Sequence, residues 1–167
     1  MLVLGLDPGL AITGYGLVDG DGQHLEMVAY GTLRTPAGTP IAERLVSLHD
    51  QLTALLDLHH PEVAAVEELF FSTNARTATV VGEARGVALL TLAQAGLAIA
   101  EYTPLQVKQA ATGYGLADKG QVQAMVRLLL RLSETPRPDD AADALAVCVC
   151  HHAMARALSL LAGEVGR

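Results

Sequence analysis

The hydrophobic and polar positions of this chain follow two different periods, and the changes between them predict the order of its elements. An unbroken apolar run over residues 2–6 is typical of a buried strand, and residues 15–18 and 25–33 form two further strand-like runs. The turn-forming residues 19–22 separate the second run from the third. Tight turns between three such runs predict an antiparallel meander.

A 3.6-residue period begins after Pro40 and predicts the first helix, which ends before Pro61. The same criteria then predict, in chain order, a strand at 63–66, a helix at 75–95, a strand at 97–102, and helices at 104–111, at 118–132 and from 139 onwards. Strands that alternate with helices favour parallel pairing. The pattern therefore predicts an α/β fold in which a mixed five-stranded sheet is flanked by helices.

Carboxylates stand at the ends of two of the predicted buried strands. Asp7 ends the first strand, where Pro8 and Gly9 turn the chain, and Glu67 follows the strand at 63–66. The ends of parallel neighbours lie at one edge of a sheet, so we expect the two acidic side chains to lie within reach of each other. Two carboxylates held together repel unless they share a divalent cation. For Asp7 the alternative is an ordinary turn-opening residue before Pro-Gly.

The last predicted helix begins with a second acidic cluster. Asp140 and Asp143 are three residues apart and share a face, and the alanines around them leave room for close approach to a crevice. The alternative is that these acids only complement the helix dipole. Together with Asp7 and Glu67 they form a set of oxygen ligands that suits Mg²⁺ or Mn²⁺. Four carboxylates that hold two such ions are typical of phosphodiester hydrolysis, so the set favours a nuclease.

The helix predicted at 75–95 carries small residues at four-residue spacing, namely Ala78, Gly82 and Gly86. Such a stripe permits the close approach of another backbone. The pattern is compatible with a contact between two subunits and equally with packing against this protein's own sheet.

Composition and charge limit the class of protein. The 167 residues, of which 51% are hydrophobic, fit one domain over residues 1–167 with a sizeable core. The apolar stretch at 87–100 is interrupted by polar residues and is too short to span a bilayer, so we expect a soluble protein of the cytoplasm. The formal net charge is −7, with +3 on residues 76–137 and −10 on the remainder. This asymmetry fits an acidic metal site beside a phosphate-facing surface, or an ordinary mixed solvated face.

The two cysteines lie in the last predicted helix. Cys148 and Cys150 are two residues apart and point to different sides, so we expect buried thiols rather than a disulfide. Together with His151 and His152 they match no zinc-binding spacing.

Five motifs, in this order and spacing, resemble those of the bacterial RuvC family of Holliday-junction resolvases, and the resemblance extends over nearly the whole chain. The motifs are Gly5-Leu6-Asp7-Pro8-Gly9 with Thr13-Gly14-Tyr15-Gly16, Val66-Glu67-Glu68-Leu69-Phe70, Asn74-Ala75, Gln106-Val107-Lys108-Gln109 and Asp140-Ala141-Ala142-Asp143-Ala144-Leu145. The resemblance implies a ribonuclease H-like fold and a homodimer that cuts two opposed strands of a four-way DNA junction with magnesium or manganese. It also suggests a branch-migration helicase as a partner.

The same resemblance implies roles for single residues. It makes Asp7, Glu67, Asp140 and Asp143 the metal-binding catalytic carboxylates, with two ions per subunit, although Asp139 remains an alternative ligand in the last helix. Lys108 and Lys119 fall where the family has basic residues near the DNA backbone. Phe70 falls where an aromatic side chain stacks on an unpaired base, with Phe71 as the alternative.

Two other classes of protein share part of this pattern. Actin-like and sugar-kinase ATPases also use a strand, an Asp, a Gly and a Thr-Gly turn, but they need two such domains and a longer chain. A junction-binding protein without catalysis is the other alternative. Four carboxylates argue against it, because acidic groups in a DNA cleft weaken binding unless metal neutralises them.

Overall fold

The computed structural model describes residues 1–68 and 75–165, with side chains described for 1–68 and 78–162. The strands are β1 (Leu2–Asp7), β2 (Ile12–Gly20), β3 (Leu25–Arg34), β4 (Val63–Glu67) and β5 (Ala98–Tyr102). The helices are α1 (Ile41–His59), α2 (Ala75–Gln94), α3 (Pro104–Thr112), α4 (Lys119–Leu129) and α5 (Asp139–Val165). These elements follow the order that the hydrophobic pattern predicts.

The strands form one mixed sheet in the order β3-β2-β1-β4-β5. β1 pairs antiparallel with β2, and β2 pairs antiparallel with β3, which is the predicted meander. β4 lies parallel to β1 on its other side, and β5 lies parallel to β4. The predicted mixed five-stranded sheet is therefore confirmed, and β1 lies at its centre with both edges paired.

Alternating side chains of the sheet face two separate layers of helices. Leu4 and Leu6 of β1 point to the layer of α1 and α2, where Leu52 and Leu92 are also fully buried. Val3 points to the opposite layer, which α3, α4 and α5 form. Because successive residues of a strand point to opposite faces, Gly5 and Asp7 share the face of Val3. Asp7 therefore projects towards α5.

Helix α5 lies unusually close to the sheet because glycines replace side chains beneath it. A Cβ on Gly5 would overlap the carbonyl oxygen of Ala144 and would come within 2.6 Å of the Cys148 sulfur. A Cβ on Gly14 of β2 would overlap the carbonyl oxygen of Asp140. The first turns of α5 thus rest directly on the backbone of β1 and β2, which places the acids of α5 at the end of β1.

The length and composition of α5 need one correction to the sequence analysis. In the part of the chain that the structure describes, one helix is long and apolar enough to cross a membrane by length and composition, and it is α5 over Asp139–Ala162. The expectation drawn from the apolar stretch at 87–100 did not take this helix into account. Much of this segment is buried inside the fold, with Leu145, Val147 and Cys148 fully inaccessible, so α5 packs here as a core helix.

Helix starts agree closely with the predictions because their capping groups are local. Asp118 accepts a hydrogen bond from the backbone N–H of Gln121 and so precedes α4 as its N-cap, one residue before the helix proper.

The two thiols are free and buried, as predicted, and burial raises the pKa of Cys148 and of Cys150 to about 12. Neither thiol is available as a thiolate near neutral pH.

The close contact of α5 with the sheet is testable through Gly5→Ala. We expect the added methyl group to lower the free energy of unfolding by at least about 2 kcal/mol, because the opposing atoms are backbone and a buried sulfur that cannot move aside. Urea denaturation measures this. The matched control is Gly120→Ala on the exposed first turn of α4, where the added methyl group would meet a single side-chain oxygen, Asp118 Oδ1 at 3.3 Å, and we expect a change within about 1 kcal/mol. Equal stability of Gly5→Ala and the wild type would contradict the proposed packing.

Candidate active site

Two acidic side chains meet at the carboxyl end of the parallel strand pair. Leu6 of β1 is in register with Val66 of β4, so Asp7 and Glu67 are the next residues on adjacent strands. Both alternate onto the face that α5 covers. Burial, followed by the charges of Asp143 and Asp140, raises the pKa of Asp7 to about 6. Burial and the charges of Asp7 and Asp143 raise the pKa of Glu67 to about 7.

The start of α5 supplies the other two acids. The helix begins at Asp139, and the backbone N–H of Ala141 donates to the carbonyl oxygen of Pro138 at 3.1 Å. Asp143, half-buried, faces the strand ends, and burial raises its pKa although Lys119 acts in the opposite direction. The first turn of a helix carries a partial positive charge, which favours acidic groups there.

The raised pKa values have a physical meaning for ligand binding. Three carboxyl groups, those of Asp7, Glu67 and Asp143, lie near enough for each charge to disfavour the next, in surroundings that water reaches poorly. A divalent cation would reverse this penalty, and a site with only oxygen donors suits Mg²⁺ or Mn²⁺. The residues present therefore fit such an ion by their chemistry.

The side chains do not converge into a finished metal site in this conformation. Within residues 1–68 and 75–165, no group of three or more His, Cys, Asp and Glu side chains has the arrangement of a formed site. Asp143 is instead engaged by a lysine, because its Oδ2 atom accepts a hydrogen bond from Lys119 Nζ at 2.8 Å. Lys119 Nζ also lies 3.7 Å from Asp139 Oδ2. A cation of the protein itself thus contacts the acidic cluster.

A pocket of about 260 Å³ opens beside these acids. Two acids and two lysines, Glu67, Asp143, Lys108 and Lys119, line it together with apolar side chains of α3, α4 and α5. Asp140 instead borders a separate groove at the turn between β1 and β2, with Arg44 at its rim. The four predicted acids therefore lie at one end of the sheet, with Asp140 bordering a different groove from the pocket that the lysines line.

The two predicted DNA-contacting lysines differ in their surroundings. Lys108, half-buried on α3, has no carboxylate within 4.0 Å among the described side chains. Lys119 is held by Asp143, whose hydrogen bond and charge raise the pKa of its ammonium group against the effect of burial. The predicted aromatic contact, Phe70 with Phe71 as its alternative, lies outside the described residues.

The small-residue stripe of α2 does not face the sheet. A Cβ at Gly82 or Gly86 would find no other described atom within 4 Å. The side of α2 that packs on the sheet carries Ala84, Ala88 and Leu92, all fully buried. Among the described residues the structure thus excludes the alternative in which Gly82 and Gly86 pack against this protein's own sheet.

Sequence reasoning missed one residue that touches the site. Arg85 of α2 donates from Nε to the carbonyl oxygen of Glu67 at 3.4 Å and pairs with Glu101 of β5. It therefore ties α2 to the end of β4. The two contacts join residues 16 and 18 positions apart, so no local pattern points to them.

A mixed sheet of this order, with acids at the ends of β1 and β4 and at the start of α5, defines a ribonuclease H-like nuclease. The family model described as "Crossover junction endodeoxyribonuclease RuvC" matches residues 3–151. The chain therefore belongs to the RuvC family of crossover junction endodeoxyribonucleases, as the sequence motifs predict. This membership replaces the two alternatives, an actin-like or sugar-kinase ATPase and a junction-binding protein without catalysis.

Curated relatives and a solved structure agree with the family model. The chain is 55% identical over 165 residues to RuvC of Desulfitobacterium hafniense, covering 99% of this chain and 100% of the relative. It is 58% identical over 151 residues to RuvC of Chloroflexus aggregans, covering 90% of this chain and 92% of the relative. The structure of T. thermophilus RuvC in complex with a Holliday junction substrate superposes with a TM-score of 0.89 at 39% identity, covering 93% and 95% of the two chains.

The buried acids predict that the metal-free protein loses stability as the pH rises. Folding raises the pKa of Glu67 from 4.5 to about 7, so the folded protein keeps a proton in this interval that the unfolded chain releases. The free energy of unfolding therefore falls between these two pH values. At pH 8 without metal, we expect Glu67→Gln to be more stable than the wild type by about 1 to 3 kcal/mol, with little difference near pH 4.

Urea denaturation in a chelating buffer checks this expectation. The matched control is Glu68→Gln, which changes the exposed neighbouring acid in the same way and should leave the pH dependence as in the wild type. A Glu67→Gln variant that is less stable than the wild type at pH 8 would show that Glu67 is not destabilised by its surroundings.

Proposed function

We propose that this chain resolves four-way DNA junctions by metal-dependent nicks in two opposed strands. We also propose that residues 1–167 form one nuclease domain, which acts on DNA in the cytoplasm. The observation that carries the proposal is the meeting of Asp7, Glu67 and Asp143 at one edge of the sheet, where burial and neighbouring acids raise the pKa of each. The Holliday junction in the T. thermophilus RuvC complex supports the choice of substrate.

In this proposal Asp7, Glu67, Asp140 and Asp143 hold Mg²⁺ or Mn²⁺, with two ions per subunit. When bound, the ions supply an activated water and neutralise charge on the phosphate that is cut. Asp7 and Glu67 are protonated in part near neutral pH without metal, so they give up protons when they become ligands. The rigid strand ends keep these two side chains at a constant separation during the reaction.

The lysines and the aromatic residue have distinct proposed roles. Lys108, in the pocket with Glu67, binds a backbone phosphate as a point charge. Lys119 reaches the same phosphate-facing surface from the start of α4. Phe70 is proposed to stack on an unpaired base where the strands exchange.

The chemical role of the strand-end acids is testable with isosteric amides. We expect Asp7→Asn and Glu67→Gln to lower cleavage of a synthetic four-way junction at least about 100-fold, because each removes a negative charge needed to hold metal. Junction binding measured without metal should stay within about threefold, since neither change removes a phosphate contact. Glu68→Gln is the control and should cut normally. Retention of more than a few per cent of the activity in Asp7→Asn at saturating metal would contradict the assignment.

We further propose that the enzyme is a two-fold dimer in which α2 contacts its copy. Paired nicks on opposed strands need two sites, and a two-fold axis shared with the junction supplies them. The stripe of Ala78, Gly82 and Gly86 supports this, because a Cβ at Gly82 or Gly86 would meet no described atom outside its own helix within 4 Å. Leu90, 55% exposed, adds apolar area on the same helix. A branch-migration helicase is a proposed further partner by family resemblance.

The dimer contact is testable with Gly82→Leu. We expect the larger side chain to push the two helices apart, to shift the protein towards monomer in sedimentation, and to turn paired cuts into single nicks on a junction in circular DNA. Asp57→Leu, which adds the same side chain on the exposed side of α1, should remain dimeric. A dimeric Gly82→Leu variant that still makes paired cuts would place the interface elsewhere.

A further inference from the structure

Lys119 contacts the proposed metal-binding acids from a fixed point in the fold. Its backbone is the first residue of α4, behind the N-cap Asp118, whose side chain forms a reciprocal capping box with Gln121. From there the flexible four-carbon side chain reaches Asp143 Oδ2 at 2.8 Å and comes within 3.7 Å of Asp139 Oδ2. The backbone is thus held by the helix cap, while the ammonium group at the end of a long stem can change partner.

The ammonium group and a divalent cation compete for the negative charge of the same carboxylate. The Oδ2 atom of Asp143 accepts a hydrogen bond from Lys119, and the side chain of Asp143 lines one pocket with Glu67. A divalent ion that binds this carboxylate finds one of its two oxygens already engaged by an ammonium group. In the metal-free protein, Lys119 therefore supplies part of the positive charge that the acids would otherwise take from a metal.

We propose that Lys119 is an exchangeable internal cation, which occupies Asp143 in the metal-free enzyme, is displaced when a divalent ion binds, and is then free to bind a phosphate of the junction. This inference rests on the proposed function and deepens it. The side chain of Lys119 is 53% exposed, so the displaced ammonium group has open solvent beside the pocket to move into. Asp143, 27% exposed, stays at the strand ends.

Such an exchange has two opposite consequences for affinity. Metal binding to the free enzyme is weakened, because the contact between Lys119 and Asp143 must first be broken. Junction binding after metal is strengthened, because a cation that was engaged becomes available for phosphate. By linkage, the metal must then raise junction affinity by the same factor by which the junction raises metal affinity.

Mn²⁺ titration without DNA tests the first consequence. In calorimetry of the full chain, we expect Lys119→Met to bind Mn²⁺ about tenfold more tightly than the wild type, which corresponds to the loss of one charge-assisted hydrogen bond. Lys108→Met is the matched control, because Lys108 lines the same pocket and lowers the pKa of Glu67 by its charge, but has no carboxylate within 4.0 Å among the described side chains. It removes the same charge and should change the affinity less than about threefold. Equal or weaker binding by Lys119→Met, or equal gains in both variants, would overturn the inference.

Junction binding in Ca²⁺, which takes similar oxygen ligands, tests the second consequence. We expect Ca²⁺ to raise the junction affinity of both proteins by neutralising the acids, and to raise that of the wild type by a factor at least about threefold larger than that of Lys119→Met. Equal enhancement in the two proteins would overturn the exchange.

A third variant separates this inference from the proposed function on which it rests. Asp7→Asn should lose Mn²⁺ binding in the same calorimetric titration. If Asp7→Asn binds Mn²⁺ like the wild type, the proposed metal site itself is wrong and the exchange falls with it. If Asp7→Asn loses Mn²⁺ while Lys119→Met gains nothing, the metal site stands and only the exchange is overturned.

Discussion

The site depends above all on how closely α5 lies against the backbone of β1 and β2. Side chains at Gly5 and Gly14 would occupy the space of the carbonyl oxygens of Ala144 and Asp140, so glycine is required for the helix to settle there. This contact brings the first turn of α5 to the end of β1. Without it, the acids of the helix and those of the strands would belong to separate regions of the surface.

The same close packing creates an electrostatic conflict that the folded protein must tolerate. Asp7 and Glu67 lie in surroundings where water solvates them poorly, and the charges of neighbouring acids raise the pKa of both. A protein selected only for stability would place neutral groups there. The persistence of acids at such a cost is typical of functional sites, in which a ligand offsets the penalty when it binds.

Much of the fold and the acidic set could be predicted because the signals are local. Strand ends, N-caps such as Asp118 and the start of α5 at Asp139 are marked by neighbouring residues, and the pairing of β1 with β4 follows from the crossover rule. The contact between Lys119 and Asp143 joins residues 24 positions apart, and no periodicity reports such a contact. The start of α5 was predicted correctly, but its long apolar segment was overlooked, because attention to the apolar stretch at 87–100 left the composition of the last helix unexamined.

Helix α2 presents three different surfaces, and each has a different neighbour. Ala84, Ala88 and Leu92 pack on the sheet, a side chain at Gly82 would meet no described atom outside its own helix within 4 Å, and Arg85 reaches the carbonyl oxygen of Glu67. The helix that carries the proposed subunit contact is therefore joined by one hydrogen bond to the main chain of a strand-end acid. Assembly and metal binding, as proposed here, share one structural element.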